Sequence, residues 1–202
     1  MANVEVRSLS VSGCAKIVGR SDFNHVLMLV STGRQSTRNR AIIMLSFKAG
    51  LRACEIAGLD WSMVTTPSGR LADSIMVEGS IAKNGRGRRI PLHPDLGTAL
   101  RILSAKTGNP QVGPVIRSQR GGNLTPGSVV NWFTTVYDRV GLQGCSSHSG
   151  RRTFITNSAR MVAKVGGSLR DVQELAGHSA LTTTETYIEG DRDAQRKLVR
   201  LL

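Results

Sequence analysis

The most regular stretch of the chain is residues 129–140, where Val129, Val130, Phe133, Val136, Tyr137 and Val140 recur at the spacing of a helix with one apolar face. A second stretch, "AIIMLSFKAG" (41–50), is apolar on almost every side and predicts a buried helix closed by Gly50. "ACEIAGL" (53–59) predicts a short helix closed by Gly58, with only Leu51 and Arg52 between the two. Upstream, "SDFNHVLMLVST" (21–32) predicts a helix capped by Ser21, followed by the polar break "GRQSTRNR" (33–40). "DSIMVEGSIAKNGRGRRIPL" (73–92) carries β-branched residues on both sides of the turn signal "NGRG", which predicts a hairpin with Lys83 at its tip and Arg88 and Arg89 on the return strand. His93-Pro94-Asp95 opens another helix with proline in its first turn. Further helices are expected over 148–163, 168–176 and 181–188.

The two ends read differently. "VEVRSLSV" (4–11) alternates loosely, so residues 1–19 are expected to form an arm or short strand. "DRDAQRKLVRLL" (191–202) is amphipathic, with Leu198, Val199, Leu201 and Leu202 on its apolar side, and predicts a terminal helix that packs on its own domain or on a neighbouring subunit. Between them lies one main core over residues 20–190, and the expected class is mainly α (α+β), helical with a small antiparallel sheet. A length of 202 residues suits one well-buried domain.

Charge narrows the partners. Twenty-seven basic residues stand against fourteen acidic, a formal net charge of +13, which is the electrostatic footprint of a polyanion binder, with DNA or RNA leading. Twenty-one of the bases are arginine, the residue suited to two-pronged recognition of phosphate, although arginine-rich codon usage would give the same ratio. No apolar run reaches the roughly 18–20 residues that span a bilayer, so no membrane partner is expected. The N-terminus has no secretory pattern, and Cys14, Cys54 and Cys145 show no zinc-type spacing, which suits reduced thiols in a cytoplasm.

Several residues combine charge with placement. In "HSGRRTFITNSAR" (148–160), His148 and Arg151 share a helical face near an N-terminus that Ser146 or Ser147 can cap, a cradle for an anion. A solvated basic face gives the same local pattern. Arg52, between two apolar helices, must be paired or line a site, and Glu55 three residues on could hold it as a plain ion pair. "LAGHSALTTTETYIEG" (175–190) adds His178 and Tyr187 in a threonine-rich stretch that is an odd place for mere packing.

Taken in order, Arg52 in "GLRACEIAGL", Lys83 before "RRIPL", "HSGRR", "LAGHS" and "TTETY" resemble the catalytic domain of the tyrosine recombinase (phage integrase) family over about residues 20–190. The resemblance implies that family's fold and the site-specific cutting and rejoining of double-stranded DNA by a homotetramer on two DNA sites. It implies Arg52 and Arg151 as the clamp on the phosphate, Lys83 as the hairpin lysine, His148 and His178 as active-site histidines, Tyr187 as nucleophile and Glu55 as support for Arg52. Arg34, Arg38, Arg40, Arg86, Arg88, Arg89 and Arg152 are candidate DNA contacts. The product would be a 3′-phosphotyrosyl link with a free 5′ hydroxyl, a chemistry that needs neither cofactor nor metal. A phenol of pKa near 10 is ionised about one part in a thousand at neutral pH, so the nucleophile needs help. His148 is the expected proton acceptor, Lys83 the expected acid for the leaving oxygen, and His178 an expected donor to the phosphate.

Most members of the family carry a further DNA-binding domain ahead of the catalytic part. This sequence is therefore expected to be an excised catalytic domain or a small natural recombinase, with an accessory DNA-binding protein or the basic 34–40 segment supplying grip. Gly150 stands where many relatives have leucine, an expected minor loss of packing. A lone type IB topoisomerase-like enzyme and a non-catalytic DNA-binding protein are the competing readings.

Overall fold

In the computed structural model the described residues are 15–83, 85–188, 195–196 and 199–200; of the arm or strand expected at 1–19, residues 1–14 lie outside them and 15–19 form neither helix nor strand, and much of the expected tail helix also lies outside them. The order is α1 (Arg20–Val30), α2 (Ser36–Lys48), α3 (Ala53–Gly58), a 3-10 turn (Trp61–Met63), β1 (Ser74–Val77), β2 (Arg88–Pro91), α4 (Pro94–Lys106), α5 (Pro126–Arg139), α6 (Ser149–Met161), a second 3-10 turn (Val162–Val165), α7 (Leu169–Ala176) and α8 (Leu181–Glu185). Helices dominate around one two-stranded antiparallel sheet.

α2 is the axis of the molecule. Every residue from Ala41 to Phe47 is buried, because α1, α3, α4 and α6 all pack on it. A helix apolar on all sides can satisfy that geometry, and each Ile or Leu so buried stabilises by about 1.5–3 kcal/mol. The core continues through Leu51, Ile56, Trp61, Ile75, Ile90, Leu96, Leu100, Phe133 and Tyr137. A smaller cluster of Ile155, Val172 and Ala176 forms beneath α6 and α7, and Phe154 and Tyr187 pack against it.

The strand register pairs Ile75 with Ile90, Met76 with Arg89 and Val77 with Arg88. Side chains alternate across the sheet, so Ile90 and Arg88 turn toward the protein while Arg89 turns out. Two adjacent arginines thus receive different surroundings.

Five local expectations are corrected. Ser21 lies inside α1, whose N-cap is Gly19. α2 begins at Ser36, so half of the polar break is helical: its polar residues form the wet first turns of a helix whose later turns are buried. Val130 is 38% exposed, off the apolar face that Val129 and Phe133 bury. α6 has His148 at its N-cap position, and Ser146 works one step earlier, its Oγ accepting the His148 N–H at 3.3 Å. Gly150 is no packing loss. A β-carbon there would collide with Ser46 Oγ and lie 2.8 Å from the Phe47 ring, so glycine is what lets α6 approach α2.

Candidate active site

The buried end of α2 starts the site. After Lys48 the chain turns at Gly50, whose φ of 61° suits glycine, and whose absent side chain leaves room for the Phe154 ring. Its carbonyl, two residues past the last residue of α2, is an acceptor. Arg151 NH1 donates to it at 2.6 Å. Arg151 NH2 donates to the carbonyl of Ala176, the last residue of α7, also at 2.6 Å. One guanidinium, 2% exposed, is therefore held by the carbonyl of the turn after α2 and by the negative end of α7 rather than by a carboxylate. Burial, and then the charge of Arg52, lowers its pKa, yet an arginine starting above 12 stays charged.

Glu55 organises the other cations. Its fully buried carboxylate accepts from the Arg52 backbone N–H at 2.8 Å and from Arg52 NH1 at 3.0 Å. Arg88 reaches it from β2 with two parallel bonds of 2.7 and 2.9 Å, and donates through Nε to the Leu175 carbonyl at 3.0 Å. Burial alone would raise the Glu55 pKa, but Arg88 and then Arg52 outweigh it, and the net shift is downward. Arg88 is thus an internal strut with a 6% exposed side chain, not the surface DNA contact expected of it. Gly177 closes α7 with φ 64°, and a β-carbon there would lie 2.8 Å from Arg88 Cδ. The cluster has three guanidinium groups and one carboxylate, so excess positive charge remains.

His178 follows this turn. Its Nε2 lies 3.0 Å from Arg151 NH2, and its Nδ1 lies 3.0 Å from Thr184 Oγ1. Burial, then Arg151, Arg52 and Arg88, push its pKa down to about 4, so the ring is neutral at physiological pH. Arginine cannot accept, so Nε2 accepts in this contact. Gln173 Nε2 donates to the His178 carbonyl at 3.0 Å. Tyr187 stacks on the imidazole, with ring centroids 5.4 Å apart and planes 22° from parallel. Arg152 lies over the other part of this neighbourhood, its Cζ 5.8 Å from the centre of the Tyr187 ring.

His148, at the start of α6, is exposed, and burial of part of its ring followed by the charges of Arg151, Arg52 and Lys83 lowers its pKa. Lys83 is exposed in the connection between β1 and β2 and makes no hydrogen bond or ion pair with the described residues. Arg52, Lys83, His148, Arg151, His178 and Tyr187 are therefore brought into one region from five segments, His148 and Arg151 sharing the start of α6. Arg86 and Arg89 are exposed and line a recess of about 380 Å³ with Gln173, Gly177 and His178. Arg34, Arg38 and Arg40 lie elsewhere, at the opposite end of α2, where Arg38 is occupied by Asn39 and the Arg117 carbonyl. Sequence reasoning missed Thr156, Gln173 and Thr184, and the threonine run was the signal that pointed toward the last.

Residues 20–193 match the model of the phage integrase family. The chain belongs to that family. It is 31% identical over 154 residues to tyrosine recombinase XerC of Xylella fastidiosa (strain 9a5c), covering 76% of this chain and 49% of that protein. Tyrosine recombinase XerD of Mycobacterium tuberculosis (strain CDC 1551 / Oshkosh) is 30% identical over 165 residues, covering 78% and 49%. The chain spans about half the length of the curated relatives it matches. The integrase fold extends over nearly the whole chain: a Tn1549 transposon integrase solved with circular intermediate DNA superposes with a TM-score of 0.75 at 16% identity, covering 96% of this chain and 68% of that one. The XerA recombinase crystal structure gives 0.71 at 20%, covering 94% and 64%. Among the described residues no helix is long and apolar enough to cross a membrane.

Proposed function

We propose that this phage integrase family member is a site-specific DNA recombinase that cuts and rejoins double-stranded DNA through a 3′-phosphotyrosyl intermediate. The observation that carries this reading is the convergence of Arg151, Arg52, His178 and Tyr187 in one net positive, partly buried cluster. A phosphodiester there places its non-bridging oxygens against the two guanidinium groups. Bonds between charged groups are each worth roughly 1.5–3 kcal/mol, and more where water is excluded and the donors are already in place. Tyr187 Oη attacks phosphorus and passes its proton to neutral His148, while the bond to the 5′ oxygen breaks and Lys83 protonates the departing oxygen. Reversal of the same steps by another strand's 5′ hydroxyl rejoins the DNA.

In the fuller reading four copies act on two DNA sites in the cytoplasm, at the nucleoid, with an accessory DNA-binding protein assisting grip. An apolar groove of about 510 Å³ lined by Phe47, Phe154, Met161, Val165 and Val172 offers the apolar side of the tail a seat on the same or a neighbouring subunit. The test of the chemistry is a duplex whose scissile 5′ bridging oxygen is replaced by sulfur, which traps the cleaved state. A protein–DNA adduct stable to denaturant is expected with the wild type and none with Tyr187→Phe. An adduct that survives in the variant removes Tyr187 from the role.

A further inference from the structure

The turn that carries Tyr187, just past the end of α8, is tied to the arginine cluster by two threonine hydroxyls. Thr184 is fully buried, and its Oγ1 lies 3.0 Å from His178 Nδ1. On the far side of the same ring, Arg151 NH2 lies 3.0 Å from Nε2 and can only donate. These two contacts leave one protonation pattern: Nε2 accepts, Nδ1 carries the hydrogen, and Thr184 Oγ1 receives it. The low pKa of His178, set first by burial and then by its arginine neighbours, agrees with a neutral ring. The backbone of Thr184 has a second partner, because its carbonyl accepts the Tyr187 N–H at 3.1 Å. Thr156, 2% exposed on α6, donates its hydroxyl to the Tyr187 carbonyl at 3.0 Å from the other side.

We propose that Thr184 is a positioning residue for strand cleavage: its hydroxyl sets the tautomer and orientation of His178 against Arg151 while its carbonyl seats Tyr187, so that one residue fixes the phosphate-binding group and the nucleophile relative to each other, with Thr156 as the opposing brace. The proposal rests on the reading of Tyr187 as nucleophile. Without the hydroxyl, the Nδ1 hydrogen has no acceptor in a buried site, and the ring gains by exchanging tautomer or turning. Arg151 then loses a partner and Tyr187 the surface on which it stacks. A displacement of about 1 Å at reacting atoms can cost about 100-fold in rate.

The test pairs a spectroscopic readout with a kinetic one. In protein labelled with nitrogen-15 at histidine, and with His178 assigned through His178→Gln, long-range proton–nitrogen correlation reports which ring nitrogen is protonated. Wild type and Thr184→Ser are expected to show the Nδ1–H form, and Thr184→Val the Nε2–H form or an exchanging mixture. In single-turnover cleavage of the sulfur-containing duplex, Thr184→Ser is expected within about threefold of wild type, and Thr184→Val slower by about 10- to 100-fold with DNA affinity unchanged. Thr156→Val, which leaves His178 untouched, is expected to cleave more slowly with its tautomer retained, and it serves should Thr184→Val fold poorly. A Thr184→Val protein that keeps either the wild-type tautomer or the wild-type rate overturns the proposal, and so does a Thr156→Val protein that cleaves at the wild-type rate. Wild-type protein that forms no adduct instead overturns the reading on which this one rests.

Discussion

The site has two halves built to opposite specifications. On one side Arg151, Arg88, Glu55 and His178 are buried, and each guanidinium nitrogen or carboxylate oxygen named above meets a partner at 2.6–3.0 Å. On the other, Lys83 and His148 are exposed, Lys83 with no bond to the described residues and the His148 ring with only a long 3.5 Å contact to Ser147 Oγ among them. The difference follows the work proposed for each half. Groups that stabilise charge are effective when fixed before the charge develops, whereas groups that move protons must reach a substrate oxygen and exchange with solvent.

Removing a group from the loose half should touch rate alone. Lys83→Ala is expected to slow cleavage by about 10²- to 10⁴-fold while leaving the unfolding free energy from urea titration within about 0.5 kcal/mol of wild type. The sulfur-containing duplex, whose leaving group needs little protonation, should restore most of the rate; equal impairment on both substrates breaks the division of labour. Removing a group from the fixed half should cost stability first. Glu55→Ala leaves two arginines facing a buried void and is expected to destabilise by about 3–5 kcal/mol in urea titration.

The same half sets the acid response. Glu55 has a folded pKa below its unfolded value, so its contribution is present above about pH 4.3 and is lost as pH falls through the folded value. His178 has a folded pKa near 4 against an ordinary value of 6.5, so the unfolded chain takes up a proton first and stability declines as pH falls between them. Stability measured against pH should therefore begin to fall below about pH 6.5, and His178→Gln should remove the upper part of that fall. At the smallest scale, Ser46 Oγ is buried with no hydrogen-bond partner among the described residues. Ser46→Ala is expected to leave stability unchanged or raise it by up to about 1 kcal/mol, which thermal unfolding would detect.

How much of this was legible depends on what kind of group does each job. α5 was readable because its apolar face repeats at helical spacing, and the structure adds the Thr125 cap ahead of Pro126. The six polar side chains were proposed from the order of motifs that resembles the family, because residue type alone left a solvated basic face or a plain ion pair equally open. The supports of Arg151 were not, since the carbonyls of Gly50 and Ala176 look alike in any sequence and gain their role only where the turn after α2 meets the end of α7. Arg88 and Arg89 were given one role because the register that separates them is set by pairing across the turn. Gly150 looked like a deficit for a similar reason: the space it vacates belongs to α2, more than a hundred positions away.

The most direct measurement compares cleavage of an ordinary duplex with one bearing a single methylphosphonate at the scissile position, which removes the negative charge without removing the reacting phosphorus. If Arg151 acts on that charge, Arg151→Ala should lose about 10²- to 10³-fold on the phosphate and far less on the neutral analogue. An equal loss on both substrates would mean that the guanidinium at the centre of the cluster supports the fold alone and is not directed at a phosphate.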